Sequence, residues 1–266
     1  MLQRRTRLPL ARTEYRGFTL LEVAVVLVAV SFVIGGVLIG RDLLRASRVR
    51  AQITQLESFT QAVSAFRDKY AGIPGDLRAS DAAALGFIAR SGAVGHGDGN
   101  GAIEGCEAFD PFGTNVPLGC EVVLFWSDLS DAGLVAESFP AAEDDYVSIA
   151  TYEDSLGYFP KAVMADRGTV VPVRCIRSGL YYRLLRLSTG YSPAIYAADA
   201  HSLDNKIDDG RPGSGAVQMK NIGYGSTEEF FCQPMTISSC VTSAGEYNVG
   251  VVSAPVCSPL VKVPGL

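Results

Sequence analysis

Between residues 18 and 40 the chain runs for 23 residues with one ionisable side chain, Glu22. A helix of that length, rising 1.5 Å per residue, reaches roughly 34 Å, against about 30 Å for the hydrocarbon core of a bilayer. Any fold for this chain must therefore accommodate a membrane-length apolar helix near its N-terminus. The remainder of the chain reads as ordinary globular sequence, long enough to bury its own core. Overall the 266 residues are 48% hydrophobic and 19% charged, and the apolar excess is concentrated in that run.

The segment before the run is basic. Arg4, Arg5, Arg7, Arg12 and Arg16 stand against one acid, Glu14, for a net +4, and subtracting this from the formal charge of −5 leaves a body of −9. Nucleic-acid binding depends on neutralising phosphates, so no nucleic-acid partner is expected of such a body. Enzyme chemistry has little footing either: there are two histidines, His96 and His201, and no GxSxG, HExxH or P-loop pattern. His96, between glycines, reads as a loop residue, and Trp126, Tyr181 and Tyr182 read as packing residues.

A secretory signal peptide is cut after its apolar run. Here the polar leader ends in Arg16-Gly17, directly before Phe18-Thr19-Leu20-Leu21-Glu22, and the apolar run comes after it. That order resembles the N-terminal signal of type IV pilins and pseudopilins. The resemblance implies cleavage by a prepilin peptidase after Gly17, N-methylation of Phe18, and a role for Glu22 in assembly. A lone carboxylate in a membrane segment costs about 2.5–3.5 kcal/mol on insertion scales, so it marks a function by default. In the family the equivalent glutamate pairs with the free N-terminal amine of a neighbouring subunit, which offsets the desolvation of both charges.

The partners so implied are the prepilin peptidase, other pilin subunits in a homo- or hetero-filament, an inner-membrane assembly platform and the membrane itself. The expected location is a single pass through a bacterial inner membrane with a cytoplasmic N-terminus, then a periplasmic or extracellular filament. The positive-inside rule agrees for the leader. Arg41, Arg45, Arg48 and Arg50 flank the other end of the span; they are expected to meet phospholipid headgroups before extraction and other subunits afterwards. The function expected is a structural subunit of a type IV pilus or type II secretion pseudopilus. The alternatives are a minor tip-associated pilin acting as adhesin or assembly primer and, less favoured, a membrane-anchored periplasmic enzyme.

Beyond the apolar run, Val49, Ile53, Leu56, Val63, Phe66 and Tyr70 recur at helical spacing, no proline falls within 18–73, and Gly72-Ile73-Pro74-Gly75 ends the pattern. The expected organisation is a leader over 1–17, a transmembrane or filament-core helix over 18–40, an amphipathic spine over 41–72 and an extracytoplasmic head over 73–266. Local unwinding is expected at Gly35, Gly36 and Gly40. The fold class is α+β: a long N-terminal spine helix, transmembrane in its first half, packed on a mainly antiparallel β-sheet head. Within the head a helix is expected over 121–132 and strands over 146–152, 161–164, 169–173 and 180–187. Ser192-Pro193 reads as the N-cap and first residue of a short helix through His201. The succession of Pro74-Gly75-Asp76, Gly97-Asp98-Gly99-Asn100-Gly101, Phe125-Trp126 and Lys206-Ile207-Asp208-Asp209-Gly210 is similar to that of a group of bacterial prepilin-type proteins.

Two segments carry oxygen ligands suited to Ca²⁺, the one cofactor considered. Asp98, Asn100 and Glu104 alternate with turn-forming glycines, and Asp204, Asp208 and Asp209 cluster further on. The competing readings are a plain glycine-rich turn for the first, and for the second a helix-ending turn whose aspartates bond backbone amides. All six cysteines, Cys106, Cys120, Cys175, Cys232, Cys240 and Cys257, lie beyond the apolar run and include no CxxC, which reads as up to three disulfides in an oxidising compartment. Fifteen pairings are open. A local loop suits Cys106–Cys120; the resemblance to pilins with a tied-down C-terminal region favours Cys240–Cys257, leaving Cys175 for Cys232.

Overall fold

The computed structural model describes residues 17–93, 95–103, 115–116, 120–139, 147–148, 152–165, 167–175, 179–188, 190–219 and 239–265. Helix α1, Leu20–Tyr70, is 51 residues long and continues unbroken through Gly35, Gly36 and Gly40 instead of unwinding there. The chain divides into two compact units, one ending at Leu44 and the other Arg45–Leu266. In the first, apolar side chains lie bare: Phe18 is 86% and Leu20 92% exposed, and Phe32, Val33 and Ile39 are likewise uncovered. At roughly 25 cal/mol per Å² of apolar area, such a surface is unfavourable in water and calls for lipid or protein around it. By length and composition it is apolar enough to cross a membrane.

In the second unit α1 becomes amphipathic. Val49, Gln52, Leu56, Phe59, Ala62, Val63 and Phe66 are buried at steps of three and four, the single stripe that a helix presents to a core. Ile53 and Tyr70, also placed in this stripe by the sequence, lie at its half-buried margin. Phe59 meets Trp126 edge-on at 4.7 Å between ring centroids and Tyr182 at 6.1 Å. Gln52 is the polar exception on this face. Its Oε1 accepts from the Met164 amide at 3.1 Å and its Nε2 donates to Gln55 Oε1, so the buried amide is satisfied and pins the 161–164 segment.

After α1 come α2 (Ala79–Leu85), β1 (Asn115–Val116), α3 (Glu121–Asp131), β2 (Val147–Ser148) and α4 (Tyr152–Ser155). Next in the chain are β3 (Thr169–Cys175), β4 (Gly179–Ser188), β5 (Gly190–Pro193), α5 (Ala197–Ile207), β6 (Val217–Met219) and β7 (Pro259–Lys262). Antiparallel pairing joins β3, β4, β7 and β6 in that order. The ten-residue β4 holds β3 along one edge, while the other edge is shared by β7, opposite residues 181–183, and β5, opposite 185–188. Residues 180–185 of β4 are all buried, so the strand is covered on both faces. The class is mixed α+β with an antiparallel sheet.

Two local expectations are corrected and a third is met in part. Ser192-Pro193 belongs to β5, paired with β4, and α5 starts at Ala197 after Tyr196, with no side-chain cap. The hydrogen-bonded partner strand overrides the local N-cap signal. Residues 161–164 contribute only an isolated bridge, Lys161 to Thr169. Over 146–152 the described part is β2 and the first residue of α4.

Candidate functional site

Two places in the chain carry candidate chemistry, the start of α1 and a carboxylate-lined loop in the head. At the first, Gly17, Phe18 and Thr19 precede the helix. Thr19 and Glu22 form a reciprocal capping box: the Thr19 amide and hydroxyl both donate to Glu22 Oε2 at 2.9 Å, and the Glu22 amide donates to Thr19 Oγ1 at 3.2 Å. Glu22 thus satisfies the amide and hydroxyl of Thr19, the residue before the helix, through one oxygen, and its Oε1 makes no hydrogen bond among the described residues. The Thr-x-x-Glu spacing of this box stands in the sequence, where the rarity of a carboxylate in an apolar run is the stronger signal.

In the head, segments distant in sequence converge. The Asp76 carboxylate accepts from the Gly99 amide at 2.8 Å and the Gly101 amide at 2.6 Å. The Gly97 amide donates to Glu121 Oε1 at 3.0 Å, and the Glu121 amide donates back to the Gly95 carbonyl at 3.1 Å. Glu121 opens α3, where a negative charge also complements the helix dipole. Asp98 turns its carboxylate onto the Asn100 amide and side chain, and Asn100 Oδ1 accepts from the Ala102 amide. One carboxylate oxygen from each of Asp76, Asp98 and Glu121 comes within 4.8 Å of the others. Asp76 also borders an open groove of about 680 Å³ that reaches Arg78 and Tyr70.

The turn supporting this loop is built tightly. Gly75 has φ +88°, and an added Cβ would come 2.4 Å from the Glu121 carbonyl oxygen. Its amide donates to Asp128 Oδ2 at 2.7 Å, and Asp128 is also held by Arg90 through Nη2 to Oδ1 at 2.7 Å. Burial raises the Asp76 carboxyl to about 6, opposed by the Gly101 and Gly99 amides and assisted by the charge of Asp98.

Of the residues expected from the sequence, Asp98 belongs to this carboxylate cluster, Asn100 holds the turn and Glu104 lies outside the described residues; Asp76 and Glu121 are carboxylates that sequence spacing did not place beside Asp98. Asp204, Asp208 and Asp209 also gather their oxygens within 4.8 Å. Each of them bonds its own loop: Asp204 accepts from the Gly210 amide at 3.2 Å, Asp208 from the Ala216 amide, and Asp209 from the Arg211 amide and the Ser214 hydroxyl. Asp204 further accepts from the Tyr247 hydroxyl at 2.7 Å. These are the bonds of a helix-ending turn whose aspartates hold backbone amides.

Cys240 and Cys257 form a disulfide 17 residues apart in sequence. Cys120 is disulfide-bonded as well. The side chains of Cys106, Cys175 and Cys232 lie outside the described residues, and so do the pairings expected of them.

Residues 12–38 match the family model for the prokaryotic N-terminal methylation motif. The chain carries a type IV prepilin-type signal. The matched segment spans the end of the basic leader, Gly17, Phe18, Glu22 and most of the apolar run, and it supports a type IV pilin-like or pseudopilin-like protein. Such a motif points to a structural protein, implies processing by a prepilin peptidase and assembly with other pilins, and fits inner-membrane anchoring before assembly. No curated protein and no solved structure matches the chain.

Proposed function

We propose that the chain is a structural subunit of a type IV pilus or type II secretion pseudopilus, cut behind Gly17 and assembled through the apolar part of α1. The observation that carries this reading is the coincidence of the methylation motif with a membrane-length helix whose apolar side chains are uncovered. Membrane lipid covers that surface before assembly and neighbouring helices cover it afterwards. Glu22 spends one oxygen on its own helix and keeps the other for a neighbour's amine. That favours a subunit with neighbours at its N-terminal end over one that caps the tip. The test is Glu22→Ala. The variant is expected to be cut and inserted normally, with a mature N-terminus at methylated Phe18 by mass spectrometry, and to enter filaments poorly. Wild-type incorporation would remove Glu22 from the assembly step.

We also propose that a structural Ca²⁺ sits at Asp76, Asp98 and Glu121. Oxygens bound at 2.3–2.6 Å from one ion lie no more than about 5 Å apart, which these three satisfy. A cation there would compensate the charges that burial and mutual repulsion disfavour. Titration calorimetry with Ca²⁺ on the chelator-treated protein should show binding that Asp98→Asn weakens; no heat and no thermal shift at millimolar Ca²⁺ would end this reading.

A further inference from the structure

The ten residues directly after the apolar run, 41–50, contain four arginines and one acid, Asp42. Basic residues at both ends of a span work against a simple charge rule for orientation, so the second group calls for its own account. Along α1, which is continuous here, Arg41, Arg45 and Arg48 succeed each other at four and three residues and so share one face, while Arg50 falls on the opposite side. All four are exposed, and Arg45 has Asp199 as an ion-pair partner. Arg41 and Arg48 have no hydrogen-bond or ion-pair partner among the described residues.

Depth decides what such a face meets. The apolar run ends at Gly40, and a helix rising 1.5 Å per residue puts Arg45 roughly 7 Å and Arg48 roughly 12 Å beyond it. The headgroup layer on each side of the hydrocarbon core is about 5–8 Å deep. Arg41 and Arg45 therefore fall inside that layer and Arg48 just outside it, within reach of its side chain. Guanidinium groups bind phosphate oxygens through paired N–H donors, an interaction that the fixed positive charge of a zwitterionic headgroup's ammonium opposes and an anionic lipid leaves open.

We propose that Arg41, Arg45 and Arg48 form a binding face for the phosphate groups of anionic phospholipids in the leaflet on the head side of the span. This rests on the membrane-spanning reading of α1 but not on filament assembly. The face fixes how deep the helix sits. Arg45, held by Asp199 on one side, is the member shared between lipid and head. Extraction into a filament then requires release of these lipids.

The test uses the full chain purified from membranes and reconstituted in nanodiscs of equal phosphatidylcholine and phosphatidylglycerol, with retained lipids counted by native mass spectrometry. Wild type is expected to keep the anionic lipid at least about fivefold over the zwitterionic one. Arg41→Gln/Arg48→Gln is expected to lose most of that preference, since each arginine near an anionic surface contributes about a fivefold effect. Arg50→Gln, off the face, should retain it. Equal preference in wild type and the double variant would overturn the proposal, as would an equal loss in Arg50→Gln. Displacement of the retained lipid by millimolar inorganic phosphate would also overturn it, by showing a site for free anions. Membrane insertion, assayed by alkaline extraction, reports separately on the span, so a chain that fails to insert counts against the anchoring reading.

Discussion

Arg90 and Asp128 have side chains only about 1% exposed, joined at 2.7 Å, and Asp128 also takes the Gly75 amide. Removing one member of a buried pair leaves the other charge without compensation, at about 3–5 kcal/mol. Asp128→Asn keeps the shape and an acceptor for Gly75 but strands the Arg90 guanidinium. It should therefore destabilise the fragment beginning at Arg45 by that much in urea unfolding; a loss below about 1 kcal/mol would mean that water reaches the pair. Asp76 gives the pH dependence. Burial raises its folded value to about 6, above the unfolded carboxyl, so its contribution to stability is complete below about pH 4 and is lost as pH rises through about 6. Because Asp76 borders an open groove, we expect a fall on the order of 1–2 kcal/mol from pH 4 to pH 7 in chelator, less than the full shift implies. Asp76→Asn should flatten that slope, and an unchanged slope would assign it elsewhere. Neither Asp128 nor Arg90 stands out in the sequence, because a buried pair 38 residues apart leaves no periodic signal. The glycines of 95–101 are legible as turns, whereas the carboxylates they bond, Asp76 and Glu121, come from elements that only the fold brings together.

Among the elements, those with strong internal pattern are readable: the spine stripe, α3, and the β3–β4 hairpin, whose apolar residues announce a strand covered on both sides. The tail is not. β6 has three residues and β7 four; β7 pairs with the free edge of β4 and β6 in turn with β7, a fact of pairing that short segments do not encode. The C-terminal loop is tied at two levels. Its disulfide closes residues 240–257, and inside it Tyr247 donates to Asp204 on α5 at 2.7 Å. A chain-entropy account puts a loop of this size at about 3 kcal/mol. Paired Cys240→Ala and Cys257→Ala replacements should cost about 2–4 kcal/mol and open the 241–256 segment to proteolysis, while the far-ultraviolet helical signal of α1 persists. Loss of that helical signal together with the disulfide would show that the spine depends on the tail for its own folding.

On the scale of the whole molecule, the proposed function makes the leader and Glu22 act through the same group. The amine that Glu22 is proposed to meet exists only after the bond behind Gly17 is cut. An uncut chain would carry five arginines against Glu14 into an apolar assembly, where each unpaired charge is costly. Gly17→Leu should therefore leave a membrane-bound precursor heavier by residues 1–17 and abolish filament incorporation, although Glu22 is untouched. Glu22→Ala should reduce incorporation with cleavage intact. If both act through the pairing of one amine with one carboxylate, the combined variant should be no worse than Gly17→Leu alone, the non-additivity expected of groups in a single interaction. Filament yield and the mass of the membrane-bound chain, measured together for the three variants, check this. A Gly17→Leu chain that still matures removes the peptidase step, because the leucine would then be tolerated at the cut. Suppose instead that residual incorporation survives in Gly17→Leu and falls further in the combined variant. Glu22 would then act on something other than the N-terminal amine, and the capping box it forms with Thr19 would become its main role.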